Sequence, residues 1–189
     1  MEEFIHIKSI IAIVLGLSLT HLIKGSVSFI QHPGRKKFSL LHFLWVFYIF
    51  VLIIHFWWWE FNLKLIKQWN FSDYLFVIVY ILLYYLLCAI LYPDDLKGYD
   101  GYEDYFLSRK KWFYSILGIC FLADIIDTSL KGTDYFLADV PEYFPRIIIH
   151  TALCLLAIFI KNRTFHYFLV IAFILYEISF IFRFFNIES

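Results

Sequence analysis

LFVIVYILLYYLL, residues 75–87, contains no charged side chain and no alternation of apolar with polar positions. A strand of a membrane barrel is about ten residues long and alternates strictly, so this run reads as a helix. With its flanks it covers residues 73–92. A helix rises about 1.5 Å per residue, and a bilayer core about 30 Å thick takes roughly 20 of them, so the segment is long enough to cross.

Outward from this run, five more segments have the same character, at about 5–30, 38–61, 112–130, 144–160 and 165–185, the first of them containing SIIAIVLGLSL. The breaks between them carry turn formers and charge: His32-Pro33-Gly34-Arg35-Lys36-Lys37, Tyr92-Pro93-Asp94-Asp95 and Lys161-Asn162-Arg163-Thr164. The last is short enough to make its two helices antiparallel neighbours. The chain is 62% hydrophobic and 17% charged with a mean hydropathy of +0.73. Soluble domains carry about 25% charged residues, so the apolar excess here must face lipid. The expectation is an all-α polytopic integral membrane protein, a compact bundle of six transmembrane helices with short loops. It forms a single domain over residues 1–189, with the lipid bilayer as its partner.

The first run is longer than the apolar core of a secretory leader and follows Met1-Glu2-Glu3 rather than a basic stretch, so it is expected to stay in the mature protein. Six spans put both termini on one side. The other side carries Arg35, Lys36, Lys37, Lys97, Arg109, Lys110, Lys111, Lys161 and Arg163, nine basic residues, against six on the termini side: Lys8, Lys64, Lys67, Lys131, Arg146 and Arg183. The positive-inside rule then places both termini extracytoplasmic, in a multi-pass protein of the cell membrane. Trp57, Trp58, Trp59, Trp69 and Trp112 lie near run boundaries and read as headgroup anchors.

The basic residues are not interleaved with aromatics along one face, so nothing points to nucleic acid. Cys88, Cys120 and Cys154 lack metal or redox spacing and read as small apolar side chains within the runs. No phosphate loop, HExxH, GxSxG or selectivity-filter pattern is present. The loop 93–111, PDDLKGYDGYEDYFLSRKK, has five carboxylates, Asp94, Asp95, Asp100, Glu103 and Asp104, without calcium-loop spacing. It is expected to be a solvated connection with a short interfacial helix. Its functional alternative is a docking patch for a membrane or soluble protein partner. The segment 131–145 is expected to dip into the opposite interface, with Pro141 and Pro145 limiting it to short structured pieces.

Ionisable groups at membrane depth carry the sharper information, because a charge at helix centre costs about 2.5–3.5 kcal/mol even on lenient scales. At 1.5 Å per residue, His55 lies roughly 7 Å from the middle of its run, Asp124 roughly 4 Å and Asp127 roughly 9 Å, all toward the termini side. His150 and Glu177 fall in the same half of the membrane. These five are the candidate intramembrane cluster, with Arg146 and Arg183 near enough to be partners. Asp124 and Asp127 share a helix face, and their burial demands pairing, protonation or a cation.

Four uses fit such a cluster. It can fix helix contacts, or form a hydrated pocket handling protons, ions or a small solute. It can also hold a metal or haem between His55 and His150, or host membrane-embedded acid–base chemistry. A non-catalytic accessory or scaffold subunit of a membrane complex is the alternative to an active protein. A second polar stripe, Ser18, His21 and Lys24 with Gly25 and Ser28, lies on the first helix, with His42 on the same side at the start of the second. It reads as a surface for close helix packing or a further polar site, with Lys24 snorkelling toward the basic side. His42 and His55 are thirteen residues apart, about 20 Å along a helix, so they cannot share a metal.

Overall fold

A computed structural model describes residues 2–32, 34, 37–132 and 140–185. The described chain folds into six long helices and contains no strand. They are α1 (Glu2–Gln31), α2 (Leu40–Trp59), α3 (Phe71–Leu91), α4 (Tyr102–Leu130), α5 (Val140–Phe159) and α6 (Arg163–Phe185), with a 3₁₀ segment, Glu60–Leu65, continuing α2. Each of the six is long and apolar enough to cross a membrane.

The helix starts follow local chemistry. Ser39 caps α2, its Oγ accepting from His42 N at 3.2 Å. Asn70 and Asp73 form a reciprocal capping box at α3, with Asp73 N donating to Asn70 Oδ1 at 2.9 Å. The start of α4 is a correction: the helix begins at Tyr102 rather than near 112, which reduces the expected 93–111 loop to residues 93–101. Tyr102 and Phe106, one turn apart, are buried, and Glu103 and Asp104 lie in the first turn where the helix dipole favours negative charge. The segment 131–145 is corrected in part as well. From Val140 onward it is helical through Pro145, the sixth residue of the helix, whose missing N–H costs a single i→i−4 bond in the second turn. Residues 133–139 lie outside the described residues.

Helix α4 packs on α5 and α3, α1 on α3 and α2, and α2 on α6. At the centre, Trp45 is fully buried among Phe113, Tyr114 and Phe173, with ring centroids 5.0, 5.4 and 5.9 Å away. Large apolar side chains also cover the outer faces of the helices. Leu75, Val79, Leu82 and Leu86 on α3, and Ile119, Leu122 and Ile126 on α4, are exposed at three- and four-residue intervals. Such stripes would be costly in water and are at home against acyl chains. Trp58 and Trp112 are exposed, whereas Trp59 turns inward.

Candidate functional site

The helix packing brings α2 against α6 and α4 against α5. On the first pair, Nδ1 of His55 and Oε1 of Glu177 are in direct hydrogen-bond contact, both side chains buried. On the second, Arg146 Nη2 donates to Asp124 Oδ2 at 2.8 Å. The guanidinium also lies 4.7 Å from the Phe180 ring and 5.6 Å from that of Tyr143. One turn beyond Arg146, His150 Nδ1 donates to the Arg146 carbonyl at 2.8 Å, which makes Nδ1 its protonated nitrogen and leaves Nε2 as an acceptor when the ring is neutral. Phe121, Phe173 and Tyr176 surround the ring at 4.6–5.1 Å.

His55, Asp124, Arg146, His150 and Glu177 line one cavity of about 40 Å³, walled also by Phe56, Trp59, Tyr84, Cys120 and Phe121. A water needs about 10–15 Å³, and a cavity with several polar partners holds water where an apolar one stays dry, so this space suits a few waters or a very small solute. It is far below the 300–1,000 Å³ or so typical of cofactor pockets. The histidines are not joined by further ligands in metal-binding geometry: among the described residues no group of three or more His, Cys, Asp or Glu side chains is placed to hold a metal ion.

Asp127, the fifth residue expected in the cluster, does not line this cavity. It contacts Lys131 one turn along, and Lys131 Nζ donates to Glu60 Oε1 at 3.0 Å, all three side chains being essentially inaccessible. Lys131 lies just beyond the end of α4. Burial pulls its ammonium down, but Asp127 and Glu60 outweigh that pull and raise its pKa above the ordinary lysine range. Its Nζ also lies 5.6 Å from the Trp59 ring, on the wall of the neighbouring cavity. The i, i+4 spacing of Asp127 and Lys131 was the available signal for this pair. Arg183 instead pairs with Glu142, Nη1 donating to Oε2 at 2.7 Å.

The second stripe serves the end of α3. His21 Nε2 donates to the Tyr92 carbonyl at 2.9 Å and His42 Nε2 to that of Leu91 at 2.7 Å, satisfying groups that a helix C-terminus leaves without partners. Gly25 lets the Tyr92 ring lie on α1, since a Cβ there would fall 2.3 Å from a ring carbon. The Tyr92 hydroxyl meets Ser26 Oγ at 3.0 Å, and burial pushes it up to about 12 against the opposing pull of Ser26. Ser18 donates within α1 to Val14 O, and Lys24 is exposed.

Two capping residues had no distinctive sequence signal. Lys110 donates to the carbonyls of Ala157 and Ile158 at 2.9 and 3.3 Å, and also contacts that of Ile160, at the end of α5. His166 donates from Nε2 to the same Ile160 carbonyl at 3.0 Å while its Nδ1 accepts from Tyr114 Oη at 2.8 Å. In the acidic loop, Asp95 accepts from Lys97 N at 3.0 Å and Asp104 from Asp100 N at 3.3 Å, while Glu103 contacts Arg163. No family model, no characterised relative and no solved structure matches this chain.

Proposed function

We propose that this protein handles protons, with or without a very small polar solute, through the cavity between α2, α3, α4, α5 and α6. The single observation that carries this reading is the His55–Glu177 hydrogen bond facing the same small cavity as the Asp124–Arg146 pair. Imidazole and carboxyl groups exchange protons, and at membrane depth they are retained against a substantial insertion cost. A neighbouring fixed guanidinium–carboxylate pair supplies a polar environment in which water or a solute is held without exposing charge to lipid. With the termini extracytoplasmic, the cavity lies in the outer half of the cell membrane, and movement of its proton across the bilayer amounts to transport.

The test is proton flux into proteoliposomes carrying an internal pH-sensitive dye, with an imposed pH gradient. The wild type is expected to equilibrate the gradient at least several-fold faster than protein-free vesicles, and E177Q and D124N to lose most of that rate while remaining folded. Equal rates in wild type and both folded variants would remove the basis of the proposal.

A second reading, a non-catalytic accessory subunit of a membrane complex, is favoured by one observation. Glu60, Asp124, Asp127 and Glu177 each have a cationic or imidazole partner within the chain, as a purely structural network requires. It predicts no flux and co-purification with a second membrane protein, with the acidic segment 93–101 as a further docking patch. A metal- or haem-binding redox role is less well supported, because a cavity of about 40 Å³ has no room for a haem and, among the described residues, no three His, Cys, Asp or Glu side chains are placed to hold a metal ion.

A further inference from the structure

Glu60, Asp127 and Lys131 form a buried group with two carboxyls and one ammonium. If both acids are ionised the group carries one uncompensated negative charge, out of water, which is a costly state. Lys131 reaches only one oxygen of each acid, Oε1 of Glu60 and Oδ2 of Asp127. The remaining oxygens, Oε2 of Glu60 and Oδ1 of Asp127, are buried and have no hydrogen-bond partner. Both carboxyls contact the same Lys131 ammonium, which brings the two acids together. A single proton neutralises the group and, if held between the two acids, gives both oxygens a partner.

We propose that Glu60 and Asp127 share one exchangeable proton between Oε2 and Oδ1, forming a proton-binding site separate from the cavity. One O–H bond breaks when the site empties, the proton passes to water on the termini side, and the group is left with one net negative charge. Glu60 also lines a cleft of about 10 Å³ with Lys8, Ile11, Trp57 and Phe61, room for about one water beside it.

The groups facing the site from other elements are few. Lys8 on α1 is exposed and sits over the Phe61 ring at 5.1 Å, without an ion pair to Glu60. Tyr80 on α3 is within electrostatic range of Asp127, as is Asp124 on α4, which is engaged by Arg146 of α5. Tyr143 of α5 donates to Thr128 Oγ1 and the Asp124 carbonyl and so is occupied elsewhere. None of them supplies the missing donor. A monovalent cation is the less favoured occupant, because Lys131 already supplies the two acids with one cation.

Infrared difference spectroscopy of the reconstituted full chain tests this, by following the C=O stretch of protonated carboxyl groups as pH is stepped from neutral to alkaline. The wild type is expected to show a protonated-carboxyl band that disappears on deprotonation. E60Q and D127N should each abolish it, because the remaining carboxylate then pairs one-to-one with Lys131. E60D and D127E retain both acids and should shift the band, which keeps the test usable if an amide variant fails to fold. D124N and E177Q should leave it in place, so failure of the cavity proposal and failure of this one are distinguishable. A band that persists unshifted in all four site variants, or the absence of any such band in the wild type, would overturn the inference. So would loss of the band on exchanging potassium for sodium at fixed pH, which would mark a cation as the ligand.

Discussion

Asp124 on α4 and Arg146 on α5 meet through a 2.8 Å hydrogen bond, with only 14% and 13% of their side chains exposed. The contact joins two helices that pack extensively, and it sets the guanidinium on the wall of the cavity that His55 and Glu177 also line. Removing either member leaves a charge at membrane depth without its partner, which costs far more than the pair itself contributes.

Asp124→Asn is therefore expected to destabilise the folded protein by about 3 kcal/mol, and the double variant D124N/R146Q by clearly less than the sum of the two single changes. Denaturant titration in detergent, arranged as a double-mutant cycle, checks this. Simple additivity would show that the two side chains do not act as a pair.

Gly25→Ala places a methyl group 2.3 Å from the Tyr92 ring, which is buried and tied to Ser26. The ring must move, and overpacking of this kind costs about 1–3 kcal/mol. The expected outcome is a lower unfolding temperature together with faster amide exchange at the C-terminal end of α3, where His21 and His42 hold the last carbonyls. Unchanged melting and exchange would contradict the close approach of α1 to that helix end.

Lys131 has a folded pKa raised by Asp127 and Glu60 above the ordinary lysine value. A raised pKa means the lysine's contribution to stability is complete below its unfolded value, about 10.4, and is lost as pH climbs through the higher folded value. The stability gap between wild type and K131Q should hence not narrow up to about pH 10, widening where Glu60 and Asp127 give up their shared proton, and should close only at more alkaline pH. Thermal unfolding at a series of pH values measures it, and a gap that already narrows below pH 9 would contradict the assignment.

The six helices were legible because apolar length and lack of alternation are properties of the chain itself, as in LFVIVYILLYYLL at 75–87. The start of α4 was not, because residues 102–111 are polar and charged along much of their length and are drawn into helix by burial of Tyr102 and Phe106. Depth along each span brought His55, Asp124, His150 and Glu177 to one level, and these four line one cavity. The same reckoning grouped Asp127 with them, but depth carries no information about direction around the helix axis. Three residues on from Asp124, Asp127 points to Glu60 and Lys131 instead. The capping roles of Lys110 and His166 were not legible for a related reason: their partners include backbone carbonyls at the end of α5, which have no sequence signature.

The central claim, that a polar and hydrated cavity exists at membrane depth, is tested most directly by hydroxyl-radical footprinting with radiolysis of bound water in reconstituted protein. Tyr84 and Phe121 line the cavity, while Phe113 and Phe106 are buried in the core away from it. The account predicts oxidation of Tyr84 and Phe121 at several times the rate of Phe113 and Phe106. Equal, near-zero rates at all four positions would show the space to be dry and would contradict it.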